Sequence, residues 1–150
     1  MSEQNTVAHT KSFLDQLYKN VKMGADSIID LMPKVRDQGL REEMTAELEH
    51  YEGFAKEIRA ILFDDGKEPQ EESFMSKLGV KMGVMMNTMM DDTTSHIAEM
   101  MIKGATMGIT DTTKLIRENE NTPCSEKALA LARRTIEYEE ESIERLKKFL

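Results

Sequence analysis

Apolar residues recur at three- and four-residue spacing through four long stretches of this chain, and that period limits its fold more than any single residue does. In the first stretch, Phe13, Leu14, Leu17, Val21, Gly24, Ile28 and Leu31 share one stripe of a helix running from about Val7 to Met32. Pro33 has no N–H to continue the ladder and stops it. Asp37 suits the N-cap of a second helix, with Glu42 and Glu43 early in it where the dipole favours negative charge. Its stripe is Met44, Leu48, Tyr51, Ala55, Ile58 and Leu62, and Asp64, Asp65 and Gly66 end it. Residues Lys67 to Ser73 read as a loop, and the Met-rich stretch from Phe74 to Met90, interrupted by Gly79 and Gly83, reads as a crossover containing a short helix or as a segment running straight on into the next one. A third long helix runs from about Asn87 to Asn119 on Ile97, Met100, Gly104, Met107 or Gly108, and Leu115. Thr122 and Pro123 suit an N-cap and first helical position, opening a fourth helix on Leu129, Ala132, Ile136, Ile143, Leu146 and Leu150.

Strand-like alternation is hard to find, and Gly and Pro number only 8 and 3, so the class is all-α. A chain of 150 residues can bury a core of its own, and one domain spanning 1–150 is expected. Four helices of roughly 25 to 33 residues would each be about 40 to 50 Å long and pack best side by side. Short connections make the first and last pairs antiparallel hairpins. The long connection in the middle, containing a short helix, is the crossover connectivity of ferritin-like four-helix bundles.

Charge narrows the partners. Acidic residues outnumber basic ones 28 to 20, for a net charge of -8, and no basic stripe could neutralise phosphates, so no nucleic acid is expected. No stretch has the apolar length to span a bilayer and the N-terminus has no apolar leader, so the expectation is a cytoplasmic protein without a membrane partner. The lone Cys124 agrees with a reducing compartment. Its place near the start of the fourth helix favours a lowered pKa, but no partner for catalysis stands beside it in sequence.

Residues three apart share a helix face, so a Glu-x-x-His step can aim two metal ligands inward. Glu47-Leu48-Glu49-His50 is such a step, with Glu47 inside the second stripe and His50 at its edge; Glu49 and Glu52 point elsewhere, Glu52 pairing with Lys56 as helix-face support. Chance also produces this spacing in a Glu-rich helix. In the fourth helix Glu139 takes a core position between Ile136 and Ile143, where a carboxylate must be protonated, paired, hydrated or metal-bound. The third helix offers His96 and Glu99, with Asp111 lower on the same stripe, and Glu140 adjoins Glu139. By level, Glu47 to Tyr51 faces Glu137 to Glu141, with Glu99 to Gly104 opposite; the first helix supplies no inward carboxylate. The candidate metal set is therefore Glu47, His50, His96, Glu99, Glu139 and Glu140, with oxygen and imidazole ligands suited to iron or manganese. Gly104 and Gly108 lie four apart on the expected core face and allow a close helix contact. Nine of the thirteen methionines lie between Met75 and Met107, which suits adaptable packing or an interface in a homo-oligomer, a dimer being expected.

The runs TTSHIAEMMIKGATMG, from Thr93 to Gly108, and LYKNVKMG, from Leu17 to Gly24, resemble an uncharacterised family of small ferritin-like proteins of anaerobic Firmicutes. The resemblance spans almost the whole chain and implies a four-helix fold and a bacterial source, without an activity. The wider ferritin-like superfamily implies iron or manganese held by carboxylates and Glu-x-x-His steps. Glu47 and His50 match that pattern directly, Glu99, Glu137 and Glu140 loosely, and the first helix departs from it. Two functions stay open: a metal-binding protein with an incomplete carboxylate/His site, and a metal-free scaffold acting through its Met-rich surface. No nucleophile elbow or phosphate-cradling glycine loop points to a hydrolase or transferase.

Overall fold

The computed structural model describes residues 3–63, 73–83 and 93–150, and all regular structure among them is helical. Five α-helices follow in order: α1 (Glu3–Leu31), α2 (Gln38–Leu62), α3 (Phe74–Gly83), α4 (Thr94–Asn119) and α5 (Glu126–Leu146). Pro33 ends α1 as its missing N–H requires, the chain tightening into a 3-10 turn over Met32–Lys34. Asp37 caps α2, its Oδ1 accepting from the Leu40 N–H at 2.8 Å. Thr93 caps α4 through the His96 N–H at 3.2 Å, so that helix begins at Thr94 rather than near Asn87.

The expected start of the last helix is corrected. Ser125, not Thr122, is its N-cap, accepting from the Ala128 N–H, while the Thr122 hydroxyl turns back to donate to the Asn119 carbonyl at 2.7 Å. The hydroxyl that satisfies the end of α4 is thereby spent, and α5 is 21 residues long, shorter than expected. α3 runs straight through Gly79. Asp64, Asp65, Gly66, most of the 67–73 loop, and Met85, Met86, Met89 and Met90 lie outside the described residues.

Contacts fix how the long helices run. Tyr18 reaches Arg59 and Gly24 meets Tyr51, so numbers fall along α2 as they rise along α1. Asn20 binds Thr112 in α4 and Thr10 binds the Ser125 N–H just beyond the end of α4, so α4 is also antiparallel to α1. Glu43 with Arg145 and Glu57 with Arg134 set α5 antiparallel to α2. The four helices neighbour one another in the cyclic order α1, α2, α5, α4 and enclose one apolar core, with Leu17, Leu40, Met44, Leu48 and Ile58 fully buried in it. No helix among the described residues is long and apolar enough to cross a membrane.

α4 keeps its expected stripe at the ends, Ile97 and Leu115, and departs from it in the middle. Ile97, Met101, Ala105, Thr112, Leu115 and Ile116 are buried, whereas Gly104 is exposed and Met107 is 58% exposed. Met100-Met101, Gly104-Ala105 and Met107-Gly108 offer similar apolarity on adjacent positions, so periodicity alone does not choose between the two faces.

Candidate functional site

Between α1 and α4 the bundle of side chains opens into a cavity of about 330 Å³. Ile28 of α1, Glu47 and Tyr51 of α2, Met101 and Gly108 of α4, and Glu139 of α5 all line it, so every long helix contributes. Two carboxyl groups therefore come from different helices to one apolar space. Glu47 is 2% exposed and Glu139 is 6% exposed.

Small residues make this possible. A Cβ at position 108 would collide with Glu139 Oε2, and one at position 24 would come within 3.1 Å of the Tyr51 ring. Glycine at both places leaves room for the Tyr51 hydroxyl to donate to Glu139 Oε2 at 3.4 Å in the interior. Gly104, by contrast, has open space where its side chain would be, so the expected close helix contact belongs to Gly108 alone.

Glu47 is held from the other side. The Ser142 hydroxyl donates to its Oε1, while its Oε2 has no partner although it is fully buried. Burial lifts the Glu47 pKa to about 8; the neighbouring Glu43 adds to the rise and Arg145 opposes it. Arg145 does not fully neutralise Glu47 because it is committed to Glu43 at 2.5 Å and lies over the Tyr138 ring. Burial likewise lifts Glu139 to about 8, the Tyr51 hydrogen bond pulling it down and the Asp111 charge pushing it up. Tyr51 itself is held well above the ordinary phenol range, first by burial and then by the charge of Glu139.

Near neutral pH both acids thus hold a proton. At pH 7, below their midpoint, removing it costs on the order of 1 kcal/mol per group. A hydrogen bond to a charged partner is worth about 1.5 to 3 kcal/mol, so a bound cation offsets that cost, whereas an anion has no counterpart here.

Of the six candidate ligands, the structure brings Glu47 and Glu139 to the cavity and leaves four on the surface. His50 lies outside, its ring stacked at 4.1 Å on Tyr138 and its Nδ1 donating to the Ala46 carbonyl at 3.1 Å. His96 and Glu99 are about half exposed, with 4.0 Å between them. Glu99 is paired with Lys103 at 3.1 Å, and that hydrogen bond holds its carboxyl below the usual range. Glu140 is exposed. At the level of Glu139, α4 presents Gly108 and Asp111 rather than Glu99 to Gly104. Among the described residues no group of three or more His, Cys, Asp or Glu side chains is placed to hold a metal ion. Iron or manganese would find Glu47 and Glu139 as its carboxylates, with the Tyr51 phenol beside them, which is a sparse set for either metal.

Two further expectations change. Glu52 does not face outward beside Lys56: it is 7% exposed, and its Oε1 accepts from the Phe74 N–H at 2.9 Å, receiving the first turn of α3. Burial raises the Cys124 thiol pKa instead of the helix start lowering it, although the Thr10 hydrogen bond works the other way. Sequence reasoning placed Tyr51 and Gly24 only in the packing stripe and passed over Ser142 and Arg145. The available signal was Ser142 itself, a hydroxyl three positions after Glu139 and at core spacing. Compared with known proteins, the chain matches no family model, and no curated protein or solved structure matches it significantly.

Proposed function

We propose that this chain is a ferritin-like helical bundle that binds a cation in the α1–α4 cavity, with Glu47 and Glu139 as the charged partners. The observation that carries this is that Glu47, whose buried Oε2 has no protein partner, lines one cavity together with Glu139. Such an oxygen is costly without a ligand or a proton. Ferritin-like connectivity is favoured because α2 and α4 both run opposite to α1, so the chain between them has to return along the molecule's length. Iron or manganese at Glu47 and Glu139 is the metal form of this reading, completed by water. The other reading, a scaffold acting through the Met-rich segment 75–107 and pairing into a dimer, has Met107 on the surface at the rim of the same cavity, while Met85, Met86, Met89 and Met90 lie outside the described residues.

The test is an amide NMR titration of the isotope-labelled protein with manganese(II), iron(II) under anaerobic conditions, and simple alkylammonium salts. A cation site moves the Gly24 and Gly108 amides, and a Glu47→Gln, Glu139→Gln double variant does not respond. If no cation shifts either glycine at millimolar concentration, the cavity is not a cation site and the scaffold reading takes its place.

A further inference from the structure

Resting on that reading, we infer that the occupant is an amphipathic organic amine, its ammonium group seated between Glu47 and Glu139 and its apolar body lying along α1 and α4. Size argues first. A volume of about 330 Å³ is some ten times the roughly 30 Å³ share of one water, far more than a bare ion fills and enough for a molecule on the order of ten non-hydrogen atoms. The walls match such a body: Ile28, Leu31, Met100, Met101 and Ala105 face it. Methionine adapts to irregular apolar shapes, which suits a ligand rather than a fixed core partner.

Charge argues second. The lining carries four carboxyl groups, Asp30, Glu47, Asp111 and Glu139, and among the described residues no Lys, Arg or His. Asp30 sits at the outer rim, 69% exposed, where Lys81 meets it at 3.5 Å, and Asp111 is exposed as well, so the buried acids with no basic group in the lining are Glu47 and Glu139. Third, Glu47 lines the cavity and its Oε2 has no protein partner, so when its proton leaves, an ammonium group brings up to three donors, enough for Glu47, Glu139 and the Tyr51 oxygen. A metal ion at the same oxygens would leave the apolar walls, Ile28, Leu31 and Met101, to water.

The experiment compares three probes of one shape on the full chain by isothermal titration and by the Gly24 and Gly108 amide shifts: 2-phenylethylamine, 2-phenylethanol and 3-phenylpropanoate. Binding of the amine at least about tenfold tighter than the alcohol, with no binding of the acid, is the expected result. In Glu47→Gln and Glu139→Gln, which keep side-chain shape, the amine should lose that advantage and bind no better than the alcohol. Equal binding of amine and alcohol to the wild-type chain would overturn the inference, because the cavity would then select for apolarity alone. A response to manganese(II) without one to the amine would overturn the amine and leave the cation reading standing. No response to any amine or metal would remove both.

Discussion

At position 108 any side chain would meet the Glu139 carboxyl, whereas at position 104, one turn away on the same helix, it would meet nothing within 4 Å. The two glycines therefore separate helix propensity from the demands of the site. Gly104→Ala is expected to stabilise the protein by about 0.5 to 1 kcal/mol, the usual gain from removing a glycine inside a helix. Gly108→Ala is expected to give no gain or a loss, since Glu139 must leave the Tyr51 hydroxyl to make room; urea denaturation of both variants checks this. Residue identity was legible where a carboxylate stood at core spacing, as Glu139 does between Ile136 and Ile143. His50 was not legible in this way. Three residues after Glu47, it lies about 60° round the helix, and what draws it outward is the Tyr138 ring, a residue 88 positions further along the chain.

Helix boundaries were legible where one residue type has one physical role. Pro33 stops α1 and Asp37 caps α2 as expected, and Asp37→Ala should cost about 1 kcal/mol in urea denaturation. At the α4–α5 turn two hydroxyls compete, and only the three-dimensional path shows that Thr122 serves α4 while Ser125 serves α5. Ser125→Ala should therefore also cost about 1 kcal/mol. The face of α4 was not legible because its methionines and small residues make two adjacent stripes equally apolar. α3 depends on a partner that no local pattern could reveal: Glu52 binds its first N–H, and Phe74 is 1% exposed against the core. Removing that acceptor with Glu52→Ala should speed hydrogen exchange across 74–80 while α2 exchange changes little. Equal acceleration in both helices would mean that Glu52 supports α2 rather than seating α3.

On the scale of the whole molecule, two acids kept neutral in the core make stability depend on pH. The folded chain holds these protons up to about 8, while the unfolded chain releases them near the ordinary value of 4.5. More protons are bound by the folded state across that window, so their contribution makes stability fall as pH rises from about 4.5 to 8, by about 1.4 kcal/mol per unit for each group. Glu47→Gln or Glu139→Gln should flatten the slope in chemical denaturation and be more stable than wild type at pH 8. The all-helical class and the opposed pairing of the first two and last two long helices were legible from the period and the short turns. The cavity was not, because it arises from two glycines, two acids and a tyrosine on four helices that meet only after packing. The central claim is that Glu47 and Glu139 face this cavity as neutral acids ready to receive a cation. Its most direct test is a carbon-13 NMR titration of the glutamate carboxyl groups with and without 2-phenylethylamine. Midpoints near 8 for both residues, lowered by about one unit or more when the amine is present, are the expected result. Midpoints near 4.5, unchanged by the amine, would contradict it.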